Sequence, residues 1–330
     1  KKDYLLPASP HTITNGGLKI PSQNDNRSFG VGASIVIAAL IIGAAWTYTN
    51  GLKTAPQTRN LAQIVVQGEP AGDTIELPLV WNDLGARMIG AGVINQNEFE
   101  AVYAQRGGLT SEEKELLAGQ ANSAIKVNQR NAGFILNFLW AFGLGNKNPI
   151  LKEGPMADPR FGGPGNFAST GGWTLANGNV MSHYGAHPFV VLTEKQQELV
   201  EQVSKNVYRP CCNNPTYFPD CNHGMAMLGL LELLAAQGTS EPTMYKIALQ
   251  VNKFWFPDQY ATIAKHLQNT GRSIDSADPK EILGKNYSSA SGYGRILQEV
   301  GPQRQKGGAS CDVEGGSASP SDSGGGGCGI

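Results

Sequence analysis

Apolar residues recur at helical spacing through most of the chain after residue 51. In residues 192–208, for example, four aliphatic side chains fall on one face of a helix. Three segments also begin with a polar residue that is followed three positions later by Glu or Gln, which is the spacing of a capping box. We therefore predict helices that begin near three pairs: Asn95 with Glu98, Thr110 with Glu113, and Thr193 with Gln196.

Two further segments are long and strongly apolar. Residues 131–145 are apolar nearly all round and too short to cross a bilayer, so they predict a central core helix. A surface docked on a membrane partner is the alternative for that segment. Residues 240–268 predict two helices that are separated at Pro257. The fold class that follows is mainly α.

Glycine-rich stretches interrupt this helical pattern. Gly accounts for 42 of the 330 residues and charged residues for only 16%, which indicates long loops. Residues 157–190 are rich in Gly, Asn and aromatic residues, and they predict a long ordered loop with short strands. Residues 302–330 are a Gly/Ser-rich tail, which we expect to be flexible unless a partner orders it.

A charge-free apolar run covers residues 29–49, between Arg27 and Lys53. About 20 apolar residues span a bilayer core, and Trp46 and Tyr48 fall where an interfacial aromatic belt would lie. We interpret residues 29–50 as a transmembrane signal-anchor. A cleaved signal peptide and a buried core helix are the alternatives for this segment.

The orientation of such an anchor follows from the basic residues that precede it. The positive-inside rule places residues 1–28 in the cytoplasm and the large helical domain, residues 51–301, in a periplasmic or extracellular space. Disulfides persist in that kind of space. The net charge of −1 offers no field that would attract nucleic acid, so we expect none among the partners.

Familiar catalytic motifs give no support for an enzyme. Residues 163–168 fit the spacing of a dinucleotide-binding fingerprint, but their flanks predict neither the strand nor the helix that it requires. The sequence has no phosphate-binding loop, no nucleophile elbow and no Cys-x-x-Cys-His haem attachment. We therefore expect no nucleotide cofactor and no c-type haem, and an enzyme is the less favoured interpretation.

Candidate chemistry is concentrated in one segment, YRPCCNNPTYFPDCNHGMAML, residues 208–228. Thiolate and imidazole are ligands that hold Zn²⁺ or Cu⁺. Prolines stiffen the loop that returns the last cysteine to the first two, so convergence on one point is expected. The candidate metal ligands are Cys211, Cys212, Cys221 and His223.

The residues after this loop predict a helix over residues 222–238. Cys221 and His223 would then lie at its N-terminus, where the helix dipole favours a thiolate. Met225 is a candidate additional ligand that would favour copper. On so apolar a helix, however, a core position is the commoner role for a methionine.

The same cysteines allow two other interpretations. In an oxidising space Cys221 could pair with Cys211 or Cys212 as a disulfide staple, whereas adjacent cysteines rarely pair with each other. A redox-active thiol site is the third interpretation. Two further cysteines, Cys311 and Cys328, could pair together, with the leftover thiol or with another protein.

Two histidines lie four residues apart in MSHYGAHPF, as His183 and His187. That spacing would place both on one face of a helix, but Gly185 and Pro188 argue against a helix here. We expect a structural or exposed role for each. Both are also candidate additional ligands of the cysteine segment.

The segment from Pro210 to His223 resembles the Pro-Cys-rich motif of exported bacterial proteins that carry a PCYCGC signature. The shared features are Pro210-Cys211, the closely following cysteines, and a Cys and a His that open a helix. The adjacent pair Cys211-Cys212 departs from that family's alternating cysteines. The resemblance covers a small part of the 330 residues, and it implies an exported metal or thiol role.

These observations predict a membrane-anchored extracytoplasmic protein with a Cys/His metal or thiol site. We expect it to be a component of a membrane-associated assembly, with protein partners or as a homo-oligomer. The alternative is a structural or interaction subunit whose cysteines form disulfide staples and which has no chemistry of its own.

Overall fold

The structure, a computed structural model, describes residues 74–301. It begins with an antiparallel pair of strands, β1 (Ile75–Asn82) and β2 (Ala121–Val127), which the sequence pattern had not predicted. Alternate residues of β1 are buried. The backbone polar groups of Val80, on the other edge of β1, are hydrogen-bonded to the side-chain amide of Gln237. This amide accepts from the Val80 N–H and donates to the Val80 carbonyl, at 3.0 Å each. The connection between the strands contains three helices: α1 (Leu84–Gly90), α2 (Gln96–Ala104) and α3 (Ser111–Ala118).

The rest of the described chain is helical or irregular, so the predicted mainly α class is confirmed. The helices are α4 (Ala132–Gly145), α5 (Pro149–Glu153), α6 (Ala168–Gly171), α7 (Glu194–Ser204), α8 (Asn222–Ala236), α9 (Glu241–Trp255), α10 (Pro257–Asn269), α11 (Pro279–Leu283), α12 (Lys285–Ser288) and α13 (Ala290–Val300).

Helices α4 and α8 form the centre of the core, and α7 and α9 pack against α8. Glycines allow the two central backbones to touch. A Cβ at Gly143 would lie 2.2 Å from the Met225 carbonyl oxygen, and one at Gly229 would lie 2.7 Å from that of Leu139. The close crossing fixes the position of α8, whose N-terminus carries the candidate site.

The predicted helix starts are present. Asn95 caps α2 through its side chain, and Thr110 and Thr193 each form a complete capping box, at the starts of α3 and α7. The predicted break at Pro257 separates α9 from α10. The predicted core helix in residues 131–145 is α4, which is buried on nearly all sides.

The expectation of short strands in residues 157–190 is wrong. This part of the described chain forms 3₁₀ turns and the short helix α6, with one isolated bridge between His187 and Asn146. Prolines explain the turns, because Pro159 and Pro164 each begin one and cannot donate to a strand ladder.

Within residues 74–301, no helix is long and apolar enough to span a membrane. The predicted cytoplasmic arm (residues 1–28), anchor (29–50) and Gly/Ser-rich tail (302–330) lie outside the described residues, as do Cys311 and Cys328.

Candidate metal centre

The cysteine segment is a loop between α7 and α8 that folds back on itself. The Thr216 N–H donates to the Val207 carbonyl at 2.8 Å, which returns the middle of the loop to its beginning. Cys221 then begins α8 as its N-cap residue, and its Sγ accepts the Gly224 N–H at 3.3 Å. As the sequence predicted, a helix N-terminus supplies Cys221 and His223.

Three sulfur atoms form a nearly equilateral triangle at this point. Cys221 Sγ lies 3.6 Å from both Cys211 Sγ and Cys212 Sγ, which are 3.7 Å apart. All three are free thiols, whereas a disulfide would bring two sulfurs to about 2.0 Å. Tetrahedral Zn²⁺ with Zn–S bonds of about 2.3 Å keeps its sulfur ligands about 3.8 Å apart. The triangle therefore has the dimensions of three ligands around one ion.

His223 is fully buried, and its protonation follows from its neighbour. Both the backbone N–H and Nδ1 of His223 lie 2.9 Å from Asn222 Oδ1. Because this oxygen can only accept, Nδ1 carries the proton and Nε2 the lone pair. Nε2 is buried without a hydrogen-bond partner, and a His223 nitrogen lies within 4.8 Å of Sγ of Cys211 and Cys221. Metal-ligating histidines are oriented in this way, with the other nitrogen held by an oxygen.

Asp220 belongs to a second candidate ligand set, with Cys212 and Cys221, whose ligand atoms also lie within 4.8 Å of one another. Its carboxylate already has partners: Arg209 donates to Oδ1 and Asn214 to Oδ2, each at 2.7 Å. Burial raises the pKa of Asp220, and the charge of Arg209 offsets this only in part. His223, which lies near Cys211 and Cys221, is therefore the better additional ligand.

The site stabilises one thiolate. Burial alone would raise the pKa of Cys221, but hydrogen bonds from Cys211 and Cys212 and the charge of Arg209 lower it well below its ordinary value. For Cys212, the bond with Cys211 lowers the pKa, while the bond to Cys221 and burial raise it, and the net result is upward. Cys221 is thus a stronger acid than Cys212, and its thiolate is ready to bind a cation.

His183 and His187 form a separate pair. Within residues 74–301, no group of three or more potential ligands within 4.8 Å includes either of them. His183 Nε2 donates to the Asn177 carbonyl at 3.0 Å, so His183 Nδ1 accepts from His187 Nε2 at 3.1 Å. Burial, and then the charge of His183, lower the pKa of His187. The two rings stabilise the glycine-rich loop by bonding to each other.

Met225 lies fully buried on α8 within the hydrophobic core, the commoner of its two expected roles. Sequence reasoning missed three polar residues around the sulfur triangle: Arg209, Asp220 and Asn222. Their adjacency to the ligands is the signal that could have identified them, because each lies within two residues of a candidate ligand in the chain.

Comparisons with protein families, with curated proteins and with solved structures find no match for the chain. The chemistry of the site therefore stands on its own geometry. Cys211, Cys212, Cys221, His223 and Asp220 lie close enough to hold a metal ion.

Proposed function

We propose that the protein binds one Zn²⁺ ion through Cys211, Cys212, Cys221 and His223. The observation that carries this proposal is the sulfur triangle with edges of 3.6–3.7 Å, which matches the spacing of thiolates around tetrahedral zinc. The buried lone pair of His223 Nε2 supplies the fourth position. Four protein ligands leave no open position for a substrate, so the ion acts structurally, by joining the loop to α8.

Charge favours zinc over copper at this place. Three thiolates with Zn²⁺ leave one negative charge beside the buried Arg209 guanidinium, whereas the same thiolates with Cu⁺ leave two. The charge of Asp220 is the same in both cases. Because unbalanced charge is costly away from water, the divalent ion is the better fit.

The predicted location gives the ion a second role. We place the domain outside the membrane, held by the anchor at residues 29–50 as part of a membrane-associated assembly. Three adjacent thiols would oxidise in such a space. A bound ion holds the sulfurs as ligands, so it protects them while it stiffens the loop. The rival proposal, a disulfide-stapled structural subunit, places two of these sulfurs in a covalent bond instead.

The test is the metal content of the full chain, purified without chelator and carrying Cys311→Ser and Cys328→Ser so that only the loop thiols remain. We expect elemental mass spectrometry to find one zinc ion per chain. We also expect the three loop thiols to resist alkylation until a chelator removes the ion.

Copper in place of zinc would change the metal but keep the site. A chain without metal, in which two of the loop cysteines cannot be alkylated until a reductant is added, would replace this proposal by the disulfide staple.

A further inference from the structure

Arg209 is a fully buried guanidinium beside the sulfur triangle. Its Nε–H donates to Cys221 Sγ at 3.1 Å, and its two terminal nitrogens donate to the carbonyls of Asn214 and Phe218 at 3.0 and 3.3 Å. A fourth bond, to Asp220 Oδ1, is 2.7 Å long. One side chain thus spans the loop that separates Cys212 from Cys221, and it also contacts the sulfur ligand.

Gly224 provides the space for this guanidinium on the first turn of α8. A Cβ at position 224 would lie 2.3–2.8 Å from three atoms of the Arg209 guanidinium group. Displacing the guanidinium group would be costly in free energy, because it is buried and each of its nitrogens donates a hydrogen bond. A side chain at position 224 would therefore displace Arg209 from the sulfur.

The charge and the bonds of Arg209 make different contributions. Its positive charge faces the partial positive charge at the N-terminus of α8, but it offsets the net negative charge of three thiolates with Zn²⁺. The bonds of Arg209 to the loop carbonyls and to Cys221 Sγ contribute geometry, which charge alone would not.

We propose that Arg209, seated against Gly224, is a positioning residue that holds the loop and Cys221 in metal-binding geometry before the ion arrives. The proposal rests on the proposed zinc site. The N–H···S bond to Cys221 persists when the ion binds, because a metal-bound thiolate keeps lone pairs free. Arg209 thereby links the loop, the ligand and the helix start in one preformed unit.

The experiment measures Zn²⁺ affinity by chelator competition and the thiolate-to-cobalt charge-transfer band of the Co²⁺-loaded full chain. The variants are Arg209→Met, Arg209→Lys and Gly224→Ala, each carrying Cys311→Ser and Cys328→Ser. Loss of a group that orients a metal ligand costs about 10–100-fold in affinity, and we expect losses of this size. We also expect the charge-transfer band to shift in every variant, since each removes the Arg209 N–H from the sulfur.

Two matched controls separate this effect from general disturbance. Arg160→Met removes an exposed arginine that is paired with Asp158, and Gly294→Ala adds a methyl on α13 where nothing lies within 4 Å. Both should leave the affinity and the band unchanged. If Arg209→Met does not fold, Arg209→Lys and Gly224→Ala decide, because both retain a cation in the segment.

The outcomes distinguish the two proposals. If the parent chain binds neither Zn²⁺ nor Co²⁺, the proposed zinc site is wrong. If the parent binds both while the folded Arg209 and Gly224 variants keep its affinity and its band, the positioning role is wrong and the zinc site stands. Weaker binding with an unshifted band would also contradict the role, because it would leave the N–H···S bond without influence on the sulfur.

Discussion

The cysteine segment and the histidine pair both carry metal-binding side chains in irregular parts of the chain, yet their lone pairs have different fates. In the cysteine segment, His223 Nε2 is buried and has no hydrogen-bond partner. In the histidine pair, the corresponding lone pair on His183 Nδ1 is satisfied by His187 at 3.1 Å. The cysteine segment therefore keeps a nitrogen lone pair that is free to bind a metal ion, whereas in the histidine pair the corresponding lone pair already accepts a hydrogen bond.

This difference teaches that the type and spacing of residues identify candidates, while hydrogen bonding decides between them. The four-residue spacing of His183 and His187 brings the rings together without a helix, and the Asn177 carbonyl then fixes the tautomer in which they bond to each other. At His223 an oxygen likewise fixes the tautomer, but Nε2 is left without a hydrogen-bond partner, and a nitrogen of the ring lies within 4.8 Å of two of the sulfurs.

Replacing Cys221 should have the largest effect. Its sulfur belongs to both candidate ligand sets and lies equally far from the other two sulfurs. We expect Cys221→Ser to abolish bound zinc, as measured by elemental analysis of the full chain. His187→Ala is the matched control from the other region and should retain the metal; a Cys221→Ser protein with full metal content would refute the site.

Removing the imidazole of His223 should weaken zinc binding without abolishing it, because three thiolates remain. His223→Ala should lose more than the roughly 10–100-fold that an outer-shell partner contributes. His183→Ala should bind zinc as the parent does. Chelator competition measures both, and equal affinities in the two variants would remove the contrast between the regions.

Glu232, a buried carboxyl group on α8, is a third case in which hydrogen bonding decides how a buried polar group behaves. Burial raises its pKa to about 8 from an ordinary 4.5, and one of its oxygens has no hydrogen-bond partner. Between these values the folded state keeps a proton that the unfolded state loses, so stability falls as pH rises, by up to about 1.4 kcal/mol per pH unit. Glu232→Gln should remove this slope in urea titrations, whereas the exposed Glu198→Gln should retain it.

An unchanged slope in Glu232→Gln would show that Glu232 ionises without penalty. That result would place it among polar groups that their surroundings satisfy, like the histidine pair.

The smallest effect is expected at His187. Its pKa is lowered from 6.5 in the folded state, so on acidification the unfolded chain takes up the proton first. The stability that the neutral His187 ring contributes is fully present above pH 6.5, and it is lost as the pH falls through the lower pKa of the folded state. His187→Asn should flatten the acid side of the pH–stability curve of the metal-free protein. An unchanged curve would mean that the pKa of His187 is the same in the folded and unfolded chains, and it would contradict the prediction.

Much of the fold was predictable because its signals are local. Each capping pair lies within one helix turn, the apolar run of α4 lies within a single helix, and Cys221 directly precedes the first residue of α8. Convergence of Cys211 and Cys221 was predictable for the same reason, since ten positions and two prolines separate them.

The features that were missed depend on contacts between distant residues. Strand β1 pairs with β2 across three intervening helices, and register shifts between Leu77 and Asn82 interrupt the regular pairing with β2. Arg209 lies two positions before Cys211, but its bonds are to residues 5–12 positions further on, so the local sequence does not reveal its partners. Its role became visible only with the space that Gly224 leaves.

The most direct test of the account is the zinc K-edge X-ray absorption spectrum of the full chain with Cys311→Ser and Cys328→Ser. We expect three sulfur ligands at about 2.3 Å and one nitrogen ligand at about 2.0–2.1 Å. A zinc signal with only oxygen and nitrogen neighbours, or a chain that carries no zinc and has Cys221 in a disulfide, would contradict the claim that this triangle of thiols and His223 is a metal site.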